Sequence, residues 1–371
     1  MRSFKSFLFF CVLAGVSLFA ACDDDDMVCM DCEDEIIEGE YDPQAFELDV
    51  PDHLPSLIIP EDNPLTQAGV ELGRMLFYDP ILSSDSTMSC NSCHLQEKAF
   101  TDGLAGSVGV LGMETPRNSM ALINLGMNSK GYFWDGRVST LEDQALLPVE
   151  DHIELNDTWE NVETKLRRHP DYPLRFRAAF GIDKTSEITR DLAVKAIAQF
   201  EQTLISGNSK YDDVVWRNEG EFTPLEEMGY ELFVLETALF FDHPGCTHCH
   251  VEPQLTDNNF KNNGLNDVNS LQDFPDLGHG NVTNFLYDNG KFRTPTLRNI
   301  ALTGPYMHDG RFETLEEVLE HYASGGHGVE NEDPNIRPFE LSEQEKEALI
   351  AFLHTLTDTV FINNPAFSNP F

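Results

Sequence analysis

Residues 90–94 read Cys-Asn-Ser-Cys-His, and residues 246–250 read Cys-Thr-His-Cys-His. Both stretches fit the pattern C-x-x-C-H, in which two thiols and an imidazole follow one another in a fixed order. The thiols can form thioethers with the two vinyl groups of one porphyrin, and the histidine can bind its iron. Two such motifs predict two covalently attached haem c groups. A zinc ribbon or paired disulfides are the alternatives, but neither explains a histidine after each cysteine pair. The predicted attachment residues are Cys90, Cys93, His94, Cys246, Cys249 and His250, with His94 and His250 as iron ligands.

The sequence around the two motifs recurs, which predicts an internal duplication. The paired segments are Gly69-Val70-Glu71-Leu72 with Gly229-Tyr230-Glu231-Leu232, Arg117-Asn118 with Arg298-Asn299, Trp134-Asp135-Gly136-Arg137 with His308-Asp309-Gly310-Arg311, and Thr140-Leu141-Glu142 with Thr314-Leu315-Glu316. Each half closes with apolar residues on one helical face, namely Ile197, Phe200 and Leu204 in the first half and Leu349, Phe352, Leu353 and Leu356 in the second. Ser342 and Glu345 form a predicted capping box before the last of these runs.

These patterns predict an all-α fold of two cytochrome c-like domains, each wrapping one covalent haem. Strand signals are sparse, whereas Gly, Pro and Asn residues are frequent between the predicted helices. We expect the first domain over residues 63–210 and the second over residues 211–371, because Ser206-Gly207-Asn208-Ser209 interrupts the helical pattern between them.

The composition excludes two classes of protein. The chain has 371 residues and a formal net charge of −40, which argues against nucleic-acid binding because that needs a cationic face. The one apolar stretch near membrane-span length is at the extreme N-terminus, so the sequence also excludes a polytopic membrane protein.

The N-terminal residues have the pattern of an export signal. Residues 1–22 contain a short basic region and an apolar run, and they end in a cysteine context that resembles a bacterial lipobox. We therefore predict lipidation of Cys22 and a location in the periplasm or cell envelope. Ordinary cleavage nearby and an uncleaved anchor are the alternatives.

An acidic extension over residues 23–62 follows the signal. Residues 23–40 include ten acidic residues and no basic one, and such dense like charge predicts a solvated tether. Cys29 and Cys32 lie in this segment without a following histidine, and two sulfurs alone make a poor metal site. They could form a disulfide in an oxidising compartment, and we assign them no catalytic role.

The predicted duplication makes the two irons unequal. With Trp134 aligned on His308, Tyr322 corresponds to Pro148. If this stretch passes over each haem, the second half offers a phenol oxygen, whereas proline has no ligating side chain. The second iron would then be six-coordinate and suited to electron transfer, while the open first iron could bind peroxide. Rival ligands of the second iron are Met307, His308 and His321.

The chain resembles the bacterial di-haem cytochrome c peroxidase family, which includes the methylamine-utilisation enzyme MauG. The resemblance runs from about Asn63 to Leu356 and covers nearly the whole predicted folded part. The motifs that carry it are Asp62-Asn63-Pro64-Leu65, Ser89 with the first haem motif, Pro116-Arg117-Asn118, Phe133-Trp134-Asp135-Gly136-Arg137, Arg293-Thr294-Pro295-Thr296-Leu297-Arg298-Asn299 and Pro305-Tyr306-Met307-His308-Asp309-Gly310.

The resemblance implies roles for several residues. The N-terminal haem would be the peroxidatic one. Trp134 matches a tryptophan between the haems, where it would relay electrons, and Glu154 matches a distal glutamate that takes and returns a proton. His152 is the competitor of Glu154 for that proton role. The calcium site implied between the domains would use Asn118 and the backbone carbonyls of Thr303 and Pro305, and Tyr322 falls where typical peroxidases have methionine and MauG has tyrosine.

Two departures from typical peroxidases lean toward MauG. Typical members block the first haem at rest with a histidine in the loop where this chain has Val110, and no histidine lies between His94 and His152. We therefore expect that no blocking ligand has to leave the first haem before this haem becomes active. The second departure is Tyr322 in place of methionine, because an anionic oxygen ligand favours ferric iron relative to a thioether.

The predicted function is reduction of hydrogen peroxide to water at the first haem, with electrons that enter at the second haem. We expect the donor to be a small cytochrome c or cupredoxin with a basic docking face, because loss of two basic signal residues takes the formal charge to −42. The alternatives are a MauG-like enzyme that oxidises residues of a partner protein, a non-catalytic di-haem electron-transfer protein, and a redox sensor. The resemblance also implies a homodimer.

Overall fold

The structure is a computed structural model that describes residues 34–41, 43–235 and 244–371. The predicted signal peptide, the predicted lipidation site Cys22 and the pair Cys29 and Cys32 all lie outside the described residues. Within the three described ranges, no helix is both long enough and apolar enough to cross a membrane.

The described residues are mostly helical, as the sequence predicts. The α-helices are α1 (Gln67–Tyr78), α2 (Leu141–Glu150), α3 (Trp159–Arg168), α4 (Tyr172–Phe180), α5 (Arg190–Gln202), α6 (Pro224–Val234), α7 (Gly280–Thr283), α8 (Leu315–Ser324), α9 (Glu343–His354) and α10 (Thr359–Ile362). Short 3₁₀ turns connect them at Pro80–Leu82, Cys90–Ser92, Gln96–Lys98, Leu125–Met127, Thr185–Glu187, Cys246–His248, Leu286–Asp288 and Ile300–Leu302, and a π-helical turn spans Asp212–Arg217. Strands β1 (Phe260–Lys261) and β2 (Phe292–Arg293) pair antiparallel.

Side-chain caps set where the main helices begin. Thr140 accepts a hydrogen bond from the backbone N–H of Asp143 at the start of α2, and Thr314 accepts one from Glu317 at the start of α8. Such caps satisfy N–H groups that have no partner within the helix. The capping box of Ser342 with Glu345 is confirmed at the start of α9.

Two helix pairs form the cores of the two halves, and both cross at a glycine. A Cβ added to Gly73 of α1 would stand 1.8 Å from the carbonyl oxygen of Ala196 in α5, and one added to Gly229 of α6 would stand 1.9 Å from that of Ala348 in α9. Only glycine permits such a close approach of two helix backbones. By these contacts Gly229 is the counterpart of Gly73. The sequence-based pairing of Gly229 with Gly69 is therefore wrong by one helical turn.

The loops that precede α2 and α8 also match in backbone conformation. Tyr132 pairs with Val138 and Tyr306 pairs with Phe312 in isolated antiparallel bridges at the same place in each half. Phe133 and Met307 have positive φ angles of 64° and 75°. The aligned segments before α2 and α8 therefore occupy equivalent positions, as the sequence predicts.

The predicted pairing of Arg117-Asn118 with Arg298-Asn299 is wrong in register. The backbone N–H of Asn299 donates to the carbonyl of Leu356, and that of Asn124 donates to Leu204 in the same way. Asn124 is thus the counterpart of Asn299. The two amide side chains are nearly adjacent, because both bond to Ser206 at the centre of the molecule.

Both ends of the described chain pack against the first half. Residues 34–40, predicted as part of a solvated tether, instead lie along this half, where Ile37 is buried and its backbone N–H donates to Asp183. An apolar side chain in the core holds the segment despite its acidic neighbours. At the other end, Phe361 and Phe367 leave the second half and join the apolar cluster of α1 and α5. The domain boundaries stay a prediction.

Candidate active site

The first haem motif opens into a large cavity. Cys90, Cys93 and His94 line a space of about 890 Å³ below α2 and α5. The ring Nδ1 of His94 lies 2.8 Å from the carbonyl oxygen of Phe100. A carbonyl can only accept, so Nδ1 carries the hydrogen and Nε2 keeps its lone pair for a metal. Burial lowers the pKa of His94, which favours the same neutral form.

Glu154 lies in the wall of this first cavity, and His152 does not. Burial raises the pKa of Glu154 to about 7, with a smaller contribution from the charge of Asp151. A group with this pKa exchanges a proton near neutral pH. The side chain of His152 is 72% exposed and faces Asp151 at 3.6 Å. The structure therefore places one of the two candidate proton acceptors at the cavity.

The loop that contains Val110 packs directly on the backbone of Glu154. The backbone N–H of Val110 donates to the carbonyl oxygen of Glu154 at 2.9 Å. A Cβ on the preceding Gly109 would meet the carbonyl oxygen of Ile153 at 1.6 Å, so this position requires glycine. The loop therefore supports the part of the cavity wall that contains Glu154, and it contributes no histidine to the cavity.

The second haem motif lines a smaller cavity of about 200 Å³ with Cys246, Cys249 and His250. Nδ1 of His250 lies 3.1 Å from the carbonyl oxygen of Leu255, so Nε2 is again the free nitrogen. This arrangement repeats the one at His94. The cysteines of the two motifs are not joined in disulfides in the structure.

Tyr322 of α8 faces this second cavity. Its hydroxyl accepts a hydrogen bond of 3.3 Å from the side-chain amide of Asn263, which also lies 3.3 Å from the sulfur of Met307. Burial raises the pKa of Tyr322 to about 12. Met307 lines the same cavity and remains a rival, whereas the ring of His321 lies outside the lining and bonds to the carbonyl of Asn263. His308 lines both haem cavities and stacks on Phe292.

A third, small cavity of about 90 Å³ brings together the predicted calcium ligands Asn118, Thr303 and Pro305. Its lining supplies amide, hydroxyl and carbonyl oxygens, which suit a hard cation such as Ca²⁺. No carboxylate belongs to this lining among the described residues, so a cation here would depend on neutral oxygens and water. The oxygen donors therefore suit calcium, whereas the guanidinium of Arg293, which lines the same cavity, opposes a divalent cation there.

Trp134 and Arg293 line all three of these cavities. The indole N–H of Trp134 donates to the carbonyl oxygen of Asn118 at 2.8 Å, and the backbone N–H of Arg293 donates to that of Trp134 at 2.7 Å. Trp134 is thus held in the shared wall of the two cavities that contain the haem motifs.

Sequence reasoning assigned no role to Arg293 or Glu201, although both are buried in the cavity walls. The guanidinium of Arg293 forms no ion pair with a carboxylate in the described ranges, its Nη2 lies 3.5 Å from the sulfur of Met120, and its Nε has no hydrogen-bond acceptor. Burial lowers its pKa to about 10. Arg293 belongs to a quoted motif and could have been noticed, whereas nothing marked Glu201 within an amphipathic helix.

The residues present fit two c-type haems. Each cavity combines a pair of free thiols with a histidine whose Nε2 is available, and the buried cation of Arg293 suits the carboxylates that a porphyrin carries. When bound, haem iron supplies the redox chemistry that these side chains lack.

Comparisons with known proteins point to one family. The sequence model of the family described as di-haem cytochrome c peroxidase matches residues 67–220. The chain is 36% identical over 302 residues to the methylamine utilization protein MauG of Methylorubrum extorquens, covering 80% of this chain and 80% of that protein. It is also 36% identical over 287 residues to the cytochrome c551 peroxidase of Nitrosomonas europaea, covering 77% and 79%.

Solved structures agree with the sequence comparisons. A MauG-like protein associated with microbial copper homeostasis is 36% identical and superposes with a TM-score of 0.81, covering 88% of this chain and 99% of that one. The diheme peroxidase BthA from Burkholderia thailandensis superposes with a TM-score of 0.69 at 23% identity, covering 83% and 91%, and shows likeness of fold.

Proposed function

The chain belongs to the di-haem cytochrome c peroxidase and MauG family, and from this premise we propose that it reduces hydrogen peroxide to water with electrons from a small redox protein. Each peroxide molecule takes up two electrons and two protons and gives two water molecules. The two matched halves, each with one haem motif, support an internal duplication in which each half wraps one covalent haem c.

The observation that carries this proposal is the difference between the two cavities. The helix over the first cavity presents Pro148, which offers no ligand atom, and a proton-exchanging carboxyl group lies nearby in Glu154. The helix over the second cavity presents the phenol of Tyr322. The first cavity therefore has room and an acid–base group for peroxide, and the second has a candidate sixth ligand for an electron-transfer site.

In the proposed reaction, Glu154 would accept the proton of one peroxide oxygen and return it to the other, so that this second oxygen leaves as water when the O–O bond breaks. A carboxyl with a pKa of about 7 can do both near neutral pH. Two electrons from the donor and two protons from solvent would convert the remaining oxygen into the second water molecule. Trp134 lies between the cavities and is the proposed route for electrons from the second haem to the first.

Substitution of Glu154 tests this function. We expect Glu154→Gln to lower peroxide turnover on the order of 10²–10⁴-fold, because the amide cannot accept the proton. Turnover is measured with peroxide and a reduced electron donor, after the haem content of each protein has been determined. The matched control is His152→Gln, an exposed position two residues away, which should keep wild-type turnover. Full turnover in Glu154→Gln would refute the assignment.

A second candidate function is MauG-like oxidation of a partner protein, and Tyr322 is the observation that favours it. An oxygen ligand from Tyr322 in place of a thioether would stabilise the oxidised state of the second haem. Stopped-flow spectroscopy after one equivalent of peroxide separates the two functions. Oxidised species that persist without a donor favour the MauG-like function, whereas rapid steady turnover with a reduced cytochrome favours the peroxidase.

Tyr322 as the ligand of the second iron is itself a proposal, with Met307 as its rival. Both side chains line the cavity and share contacts with Asn263. Tyr322→Phe should change the ligand-field spectrum of the second haem while Met307→Leu leaves it unchanged. The reverse result would identify Met307 as the ligand.

We also propose a calcium ion at the small cavity of Asn118, Thr303 and Pro305. Its donor set of neutral oxygens supports the assignment. Chelation should change the electronic coupling between the haems and should be reversed by added Ca²⁺ but not by Mg²⁺, whose octahedral requirement is stricter.

The proposed location is the cell envelope, with a lipid anchor at Cys22 and possible dimers of the chain. Haem c attachment to exported proteins and the lipobox-like sequence support this location. Mass spectrometry of the mature N-terminus tests the anchor, because a free N-terminus downstream of Cys22 would contradict it.

A basic donor such as a cytochrome c or cupredoxin should bind less tightly as salt is raised, given the net charge of the chain.

A further inference from the structure

Glu201 is a buried carboxyl group that the proposed reaction does not use. It lies near the end of α5, is 4% exposed and lines the first cavity. Its Oε2 has no hydrogen-bond partner in the described part of the chain. A buried polar atom without a partner is uncommon, because it has lost its water without gaining a replacement. Glu201 therefore needs an explanation from the contents of the cavity.

The second half has an apolar side chain at the equivalent place. Phe200 of α5 stands against Gly73 as Phe352 of α9 stands against Gly229, which makes Leu353 the counterpart of Glu201. Leu353 lines the second cavity and is 8% exposed. Since leucine satisfies the packing of this position in the second half, the fold itself does not call for a carboxyl group.

The surroundings of Glu201 do not hold it in the charged form. Burial is the largest cause that raises the pKa of Glu201 to about 8, and the negative charge of Glu142 on α2 adds to it. Besides Glu142, the titratable groups that interact electrostatically with Glu201 are Cys90 and Tyr132, and the cavity wall also contains Glu154 and Arg293 among further charged residues. Among the described residues none of these forms an ion pair with Glu201.

We propose that Glu201 exchanges one proton with solvent each time the haem of the first cavity gains or loses an electron, a proposal that rests on the haem assignment of the proposed function. Loss of an electron leaves one more positive charge in the cavity, and this favours the carboxylate, so a proton leaves. Gain of an electron removes that charge, and the carboxylate takes a proton from solvent.

This coupling suits the reaction of the cavity. Reduction of peroxide consumes two protons with its two electrons, and Glu154 only moves a proton from one peroxide oxygen to the other. A carboxyl that takes up a proton together with an electron from the donor brings one of the two protons into the cavity before peroxide arrives. Leu353 cannot do this, which agrees with a second haem that passes electrons without proton chemistry.

The test is an equilibrium redox titration of the holoprotein without peroxide, repeated between about pH 6 and pH 9 with each haem followed by its spectrum. In the wild type, the reduction equilibrium of the first haem should shift by up to roughly tenfold per pH unit, with reduction favoured at lower pH. Glu201→Gln keeps the shape of the side chain, and Glu201→Leu reproduces the residue of the second half. Both should lower the pH dependence of the first haem to the part that Glu154 contributes, and both should leave that of the second haem unchanged.

Glu142→Gln is the matched control, because Glu142 acts on Glu201 but does not line the cavity. It should keep the pH dependence and move its inflection to lower pH, since loss of the Glu142 charge lowers the pKa of Glu201. If either Glu201 variant keeps the wild-type pH dependence of the reduction equilibrium of the first haem, the proposal is overturned. The carboxyl group of Glu201 would then have only a hydrogen-bonding role. Absence of a redox-active haem on Cys90 and Cys93 would instead contradict the proposed function.

Discussion

Helix α2 presents Pro148 to the first cavity, and helix α8 presents Tyr322 to the second, each eight residues after a capping threonine. The caps, the bridges before the helices and the positive φ angles agree between the halves, so the difference lies in the side chains. The same holds on the closing helices, where Glu201 in the first half stands where the second half has Leu353.

This comparison teaches that one scaffold can serve two tasks when only the cavity-facing side chains change. The imidazole on the proximal side is held alike in both halves, by a carbonyl that fixes its tautomer. At the matched positions on the two pairs of helices, the first half has Pro148 and Glu201, and the second has Tyr322 and Leu353. In the proposed function, proton chemistry is confined to the first cavity, and the predictions below test that confinement.

Pro148→Tyr should produce the largest effect among the tests of this comparison, because it copies the second half into the first. A phenol at this position would reach into the first cavity as Tyr322 reaches into the second. We expect peroxide turnover to fall by about 100-fold or more, together with loss of any high-spin signal of the first haem. The measurement combines steady-state turnover with resting-state electron paramagnetic resonance.

Pro148→Ala is the matched control for that swap. It removes the same interior proline from α2 and adds no ligand atom, so turnover should stay near that of the wild type. Loss of turnover in Pro148→Ala would mean that the proline itself, and not an open position, matters. Unchanged turnover in Pro148→Tyr would contradict the matched geometry of the two helices.

The Pro148→Tyr exchange can be designed because the sequence alone predicted the offset that pairs Pro148 with Tyr322. The capping box of Ser342 and the apolar faces of the closing helices leave clear local signals, and the structure confirms α5 and α9. Gly69 and Asn118 were paired with the wrong partners, since helical crossings and amide contacts depend on which surfaces meet. A four-residue match within a helix cannot distinguish one turn from the next.

The buried functional groups were the harder part of the site to predict. Glu201 and Arg293 gain their character from burial and from missing partners, neither of which a sequence displays. Ile37 was likewise hidden within a segment whose charge predicts a free tether. Composition reports the average of a segment, whereas a single apolar side chain decides whether it docks.

The pH dependence of turnover is the next prediction in size. Burial raises the pKa of Glu154 to about 7, and the proposed reaction needs its carboxylate form. That form is present above this pKa and is lost as the pH falls through it, so kcat/KM for peroxide should drop roughly tenfold per pH unit on the acid side. Measured profiles of the wild type and Glu154→Gln check this, and a wild-type profile that stays flat below pH 7 would contradict the assignment.

The smallest expected effect tests whether the two scaffolds are matched at their helix crossings. Gly73→Ala and Gly229→Ala should each lower the free energy of unfolding by about 1–3 kcal/mol, because a methyl group would press on a helix carbonyl that cannot rotate away. The higher helix propensity of alanine opposes this by roughly 1 kcal/mol. Gly39→Ala is the control, since its Cβ would lie 3.5 Å from the nearest side chain. Denaturation midpoints are measured by haem absorbance and by circular dichroism. If the two variants lose unequal amounts of unfolding free energy, the two helix crossings are not equivalent. The pairing of Glu201 with Leu353 would then lose its structural basis.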